Sequence, residues 1–332
     1  MNETHRRAIA GLGVLLPLFG MASCASAIAP EAPSSITQSE IAQSEVTQPE
    51  TVRAKATRPH DDAVRFGVLA IDSAVSVNER YSPLLSYLSN AIGRPFELVV
   101  LSQESQFQQV AEGALDFASN NPLAAVQLQR LYNTEFLVTH ERPNVGTEFG
   151  GLIVVSAESD ITSIEDLRGT NAACVAFQTA AAGCTFQIFH LLQNDFDPFV
   201  DFSSFVENRS QDNIVLAVLN GAIDVGFIRT GQLEKMEQKG LISSVDELRI
   251  IDRAEGDFFF PHTTALYPEW PIAALPTTDS QLSDRVRDAL LNIPDDHSAL
   301  DSLRTTGFVP AVDYGNIENL IETLKLRSWD AD

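Results

Sequence analysis

The chain has 332 residues, with 22 Lys plus Arg against 45 Asp plus Glu and a formal charge of −23. So acidic a balance argues against nucleic acid and against electrostatic docking on anionic lipid. Length allows two lobes or one large domain after the first 62 residues, and only four lysines are present.

Residues 1–24 read as a targeting segment. Arg6 and Arg7 form its charged start, and the apolar run Ala8 to Met21 is too short to span a bilayer. Met21-Ala22-Ser23-Cys24 resembles a bacterial lipobox, which would make Cys24 the lipidated first residue. Cys24 falls directly after the apolar run, so we read a lipid anchor; Ala25-Ser26-Ala27 offers ordinary cleavage and simple secretion as the alternative. Removing residues 1–23 takes away Arg6, Arg7 and Glu3 and leaves a charge of −24. Residues 25–62 are rich in Ser, Gln, Glu, Thr, Ala and Pro without an apolar period. Such a stretch buries too little surface to offset its ordering entropy and reads as a disordered tether.

From Arg65 strands and helices alternate. Arg65–Ile71 reads as a strand and Tyr81–Ile92 as a helix with Leu84, Leu85, Leu88 and Ile92 on one face. Phe96–Leu101 is a strand, Ser105–Gly113 a helix ended by glycine, and Leu115–Ala118 a short strand. Asn121-Pro122 opens a helix, and Phe136–Thr139 and Gly151–Ser156 are strands. The pattern restarts at Ser163–Gly169, a capped turn. Ala172–Phe177, Phe202–Val206, Val225–Ile228 and Leu248–Ile251 read as strands, with helices at Gly183–Leu192, Asp212–Leu219 and Gln232–Lys239. Trp270–Leu275 is another strand. Helices follow at Asp279–Leu291, capped by Thr278 and Gln281, and at Asn316–Leu324. Such alternation implies parallel pairing in helix-covered sheets. Phe258-Phe259-Phe260 is apolar enough for core or a cleft wall, and we read core; Trp270 reads as packing at a strand start rather than a ligand platform.

The chemistry centres on Gly221 to Gly231. Arg229 and Thr230 stand where the short buried strand Val225–Ile228 ends. Ligands of open α/β sheets bind beyond the carboxyl ends of strands. An arginine there offers a planar fork of donors for carboxylates and oxyanions. No Gly-x-Ser-x-Gly, His-Glu-x-x-His, P-loop or EF-hand pattern is present, so no catalytic residue, metal site or cofactor is expected.

From Arg65 to Leu326 the chain resembles the phosphonate-type periplasmic solute-binding proteins, and among them the variant that serves as ectodomain of tetrathionate-type sensor kinases. The resemblance rests on Gly113-Ala114-Leu115-Asp116-Phe117 with Asn121-Pro122, Ser163 to Gly169, Gly221 to Thr230, Leu266-Tyr267-Pro268-Glu269-Trp270-Pro271, and Pro310 to Tyr314, in this order. It implies an α/β fold of two lobes, each a helix-covered mixed sheet, with a ligand cleft between them that closes like a trap. Residues 63–155 and 255–332 would form the first lobe and 156–254 the second.

The departures from that family bear on the ligand. Phosphonate binders carry a Ser/Thr-rich turn where this chain has Phe177 to Gly183, which keeps polar side chains only at Gln178 and Thr179. Gln211 stands where they place a histidine, and Arg229 where they place an acid. Loss of an acid and gain of a base favour an anionic ligand of oxyanion class over an aminophosphonate. The expected ligand set is Arg229, Thr230, Thr179, Gln178, Gln211, Asn121 and Gln103.

Cys174 and Cys184 flank the same turn, and export makes a disulfide between them the favoured reading over two buried thiols. The resemblance leaves two partners open: an ABC transporter permease, to which ligand is delivered, or a membrane histidine kinase, to which the liganded state is presented. With no transmembrane helix or kinase sequence after Leu326, the chain is not expected to be the kinase itself.

Overall fold

The computed structural model describes residues 63–71 and 73–326. The targeting segment 1–24, Cys24 and the tether 25–62 lie outside the described residues.

The first lobe opens with β1 (Val64–Leu69), α1 (Ala74–Ile92), β2 (Phe96–Leu101), α2 (Ser105–Ala111), β3 (Phe117–Ser119), α3 (Pro122–Tyr132) and β4 (Glu135–Glu141). A short β5 (Glu148–Phe149) leads into the second lobe, with β6 (Gly151–Ser156), β7 (Asn171–Cys174), α4 (Phe186–Gln193), α5 (Pro198–Asp201) and β8 (Ser204–Glu207). It continues with α6 (Gln211–Leu219), β9 (Val225–Arg229), α7 (Gln232–Gln238) and β10 (Leu248–Ile250). The chain then returns through β11 (Tyr267–Pro268) and β12 (Pro271–Ala274) to α8 (Ser280–Leu291), α9 (Ser298–Leu303), β13 (Gly307–Pro310) and α10 (Gly315–Leu324).

Two sheets result, in the orders β13-β4-β12-β3-β1-β2 and β10-β6-β9-β7-β8. Parallel pairing holds for β2-β1-β3 and for β8-β7-β9. Both sheets are mixed, as the resemblance implies: β12 pairs antiparallel with β3 and β4, β13 with β4, and β6 with β9 and β10. β6 and β12, the strands by which the chain enters each sheet from the short β5 and β11, follow no helix, so no crossover constrains their direction.

Residues 151–155 also move. They were expected in the first lobe, but β6 pairs with β9 and β10 of the second sheet. The lobe change therefore falls at Gly150-Gly151, where the backbone meets the returning segment. The Gly151 N–H donates to Thr264 Oγ1 at 2.9 Å, and the Thr263 N–H to the Gly151 carbonyl at 2.8 Å. Glycine is needed here because a Cβ would lie 2.5 Å from Gln187 Nε2. That amide donates to the carbonyls of Ala182 and Ile228 at 2.7 and 2.8 Å, tying α4 to the end of β9.

Local signals explain the element ends. Ser73 caps α1 by accepting the Ser76 N–H, so the helix starts at Ala74, seven residues before the expected Tyr81, and Gly93 ends it in the left-handed region. Polar Asn78-Glu79-Arg80 and Pro83 hid that first part, although Val77 and Tyr81 continue the buried stripe. Asp279, not Thr278, caps α8, accepting the Leu282 N–H at 3.0 Å; Thr278 instead donates to the Asp116 carbonyl. The helix α9 and strand β13 were not foreseen.

Each lobe has its own core, one around Phe66, Leu84, Phe117 and Val286, the other around Ile153, Val215 and Phe227. A third cluster joins them: Phe186 of α4 stacks on Tyr267 at 3.9 Å between ring centroids and packs against Phe149. Among the described residues, no helix is long and apolar enough to cross a membrane.

Candidate functional site

A cleft of about 750 Å³ lies between the lobes. Strand ends and helix starts from both sides build it: Leu69 to Ile71, Ala74 and Ser102 to Ser105 from the first, Ala180 to Gly183, Arg209 to Asp212 and Arg229 from the second. The first turns of α1, α6 and α7 reach it, where unsatisfied amides favour negative charge.

Its charge reverses that of the chain. Among the described residues, Arg80, Arg142, Arg209, Arg229, Lys235 and Arg304 line it, against the acids Glu104 and Asp212. Only Arg229 of the six cations was foreseen, because single arginines spread along helices and loops carry no motif.

Arg229 ends β9. Its N–H donates to Gln211 Oε1 at 2.8 Å, its Nε donates to the Thr230 carbonyl at 3.2 Å, and its guanidinium carbon stands 5.9 Å from the Phe149 ring centre. A residue of α6 and an aromatic of the lobe junction thus fix its position. Gln211, Asn121 and Gln103 also line the cleft.

Thr230, Thr179 and Gln178 are not among the lining residues. Thr230 is buried and its hydroxyl accepts the Gly150 N–H at 3.2 Å, so it secures the lobe junction. Thr179 and Gln178 contribute backbone instead: their carbonyls accept from Asn121 Nδ2 at 2.8 Å and Gln127 Nε2 at 3.3 Å. These bonds seat the second lobe's turn on the start of α3. Asn121 serves twice, since its Oδ1 caps α3 by accepting the Ala124 N–H at 3.0 Å.

The turn is further held by a disulfide between Cys174 and Cys184, both fully buried. Between them, Val175 and Ala180 to Gly183 form cleft wall.

Aromatic and apolar side chains complete the walls. Trp270 is 9% exposed and lies at the cleft. The expectation that Phe258 to Phe260 are core fails: none is buried, Phe259 is 58% exposed, and Phe260 lines the cleft beside Gly231. This segment crosses between lobes and packs on neither core, and for Phe260 the cleft-wall alternative holds.

Behind the cleft floor, Arg142 Nε stands 3.5 Å from the buried Glu269 carboxylate, and its Nη1 donates to the Leu303 carbonyl at 2.9 Å. Tyr314 is buried beside it, donating to the Glu269 carbonyl at 2.8 Å, and burial raises its pKa. Burial likewise pushes the Tyr267 phenol up to about 12. Neither tyrosine ionises near neutrality.

Two mixed α/β sheets joined by crossing segments, with a basic cleft between them, define a two-lobe periplasmic-binding-protein fold. The chain belongs to the family described as "ABC transporter, phosphonate, periplasmic substrate-binding protein", whose model matches residues 66–314. It is also similar to the tetrathionate sensor histidine kinase TtrS of Salmonella typhimurium, 28% identical over 235 residues, or 69% of this chain. The match spans 39% of that kinase's length. Among solved structures, PhnD1 from Prochlorococcus marinus in complex with methylphosphonate is 16% identical with a TM-score of 0.66, over 80% of this chain and 99% of that one. XAC2383 from Xanthomonas citri bound to chloride ion is 22% identical with a TM-score of 0.66, over 80% and 98%. These likenesses give the fold.

Proposed function

We propose that the protein captures a small anionic ligand of oxyanion class between its lobes and delivers it to an ABC transporter. The observation that carries this is the charge reversal: among the described residues, six basic and two acidic side chains line the cleft of a chain with twice as many acids as bases. In a closing cleft that excludes water, such an excess favours a negative ligand. Arg229 is the anchor in this reading, with Gln211, Asn121 and Gln103 beside it. Thr230, Thr179 and Gln178 act through the frame of the cleft. Delivery to a transporter rests on family membership. Export with a lipid anchor at Cys24 and a tether over 25–62 would hold the lobes at the membrane surface of the periplasmic side.

The similarity to TtrS supports a second reading, a ligand-sensing accessory of a membrane histidine kinase. Crosslinking in membranes followed by mass spectrometry separates the two: permease peptides support delivery, kinase peptides support sensing.

The cleft itself is tested by calorimetric titration with phosphate, sulfate, thiosulfate, tetrathionate and methylphosphonate, beside neutral and cationic controls. Binding confined to anions is expected. A hydrogen bond to a charged group contributes about 1.5–3 kcal/mol, and Arg229→Ala removes a fork of two. Its affinity should fall roughly 100-fold or more, since each ~1.4 kcal/mol is tenfold. Arg229→Lys should recover little, because a point charge does not reproduce the fork. Preference for cations, or full affinity in both variants, would overturn the anionic reading.

A further inference from the structure

We infer that the ligand is an organic anion: one anionic group at the Arg229 end of the cleft, carried on an apolar, ring-sized body that lies against Phe260 and Trp270. This rests on the anionic reading above and narrows it.

Size comes first. The cleft measures about 750 Å³ although the lobes are already bridged by the Asn121 and Gln127 amides and by Arg209 with Glu104. It is therefore not the gape of two separated lobes. Clefts of roughly 300–1,000 Å³ hold drug-sized organic molecules. An inorganic oxyanion displaces only a few waters, at ~30 Å³ each.

The walls are the second observation. Leu69, Val77, Tyr81, Val175, Phe260 and Trp270 all line the space. Such surfaces give a hydrated inorganic anion nothing in return for its lost water. An apolar body covering them gains by leaving water itself.

Third, Arg229 gives the anionic group its place: it ends β9 at the cleft wall, with its N–H on Gln211 Oε1 and its Nε on the Thr230 carbonyl. Phe260 packs beside Gly231, two residues after Arg229, which puts the aromatic wall next to the anion rather than at the far end.

The test uses pairs that share a charged group: methylphosphonate and phenylphosphonate, methanesulfonate and benzenesulfonate, acetate and benzoate. Each is titrated calorimetrically into the full chain and into Phe260→Ala, with neutral benzamide as control. We expect the ring member of at least one pair to bind tenfold or more tightly than its methyl partner. We further expect Phe260→Ala to weaken the ring member more than the methyl member. Ring members that bind no better than methyl members overturn this inference and leave anion capture standing. Equal weakening of both members by Phe260→Ala overturns the assignment of the wall. Binding of benzamide without binding of any anion overturns the anionic reading, and this inference with it, as does no binding of any probe.

Discussion

Arg209 Nη2 of the second lobe lies 2.7 Å from Glu104 Oε1 of the first, across the mouth of the cleft. The Ser102 hydroxyl donates to the other Glu104 oxygen at 2.9 Å and steadies the carboxylate at the start of α2. Both charged side chains are well exposed, 81% and 60%, so water screens the pair. An exposed pair contributes at most about 1 kcal/mol. Glu104→Gln should therefore leave the unfolding midpoint almost unchanged. Because the pair joins the lobes, the variant should expand the ligand-free protein in small-angle scattering, and high salt should expand the wild type likewise. Identical scattering in all three conditions would show that the pair does not hold the lobes together.

The Cys174–Cys184 disulfide closes a loop of ten residues inside the second lobe. Constraint of the unfolded chain by a loop of this size stabilises by roughly 2–3 kcal/mol. The double variant Cys174→Ala, Cys184→Ala should unfold at correspondingly lower denaturant concentration. It should also bind less tightly, because Val175 and Gly183 within the loop form cleft wall. Chemical denaturation and calorimetry check both; unchanged affinity would detach the disulfide from the site.

His140 on β4 is fully buried against Phe308, and neither ring nitrogen has a hydrogen-bond partner. Burial, helped by the nearby Arg142 charge, holds its pKa well below the usual histidine value of 6.5. The unfolded chain therefore takes up a proton that the folded chain refuses. Stability from this group is complete above about pH 6.5 and falls as pH drops below it, by up to ~1.4 kcal/mol per unit. His140→Phe should flatten that part of the stability–pH curve and unfold later than wild type near pH 5. An unchanged slope in denaturant titrations from pH 5 to 7 would place the proton uptake elsewhere.

Gly226 lies in the middle of β9 beneath α6. A Cβ there would stand 2.7 Å from Ile214 Cγ2 and 3.1 Å from Val218 Cγ2. Both neighbours are branched at Cβ and have little rotamer freedom on a helix. Gly226→Ala should destabilise by about 1–3 kcal/mol through overpacking. Since β9 carries Arg229, affinity should fall as well. A variant of wild-type stability would mean that α6 lifts off the sheet without cost.

Periodicity and punctuation alone located most elements. The Leu84-Leu85-Leu88 stripe, the Asn121-Pro122 start and the glycines at 113 and 169 act over one or two turns of chain, so their physics is written locally. The same holds for Arg229 at a strand end: a short buried strand that stops at a charged residue places that residue at the sheet's rim. Both lobes were legible because each repeats the alternation of strand and helix within itself.

Strand direction, the lobe boundary and the composition of the cleft were decided by tertiary structure. Whether Gly151–Ser156 pairs with β4's sheet or with β9 depends on partners about 75 to 100 residues away, and a continuous apolar strand buried on both faces fits either. Thr230 and Thr179 looked like ligand hydroxyls because their types suit anions, yet backbone groups at Gly150 and Asn121's amide claim this stretch for the frame. Arg80, Arg142, Arg209, Lys235 and Arg304 are scattered over more than 200 residues of chain. They become one basic surface only when two lobes fold and face each other. Charge acts through space rather than along the chain, so an acidic sequence can hold a basic cleft that its composition conceals.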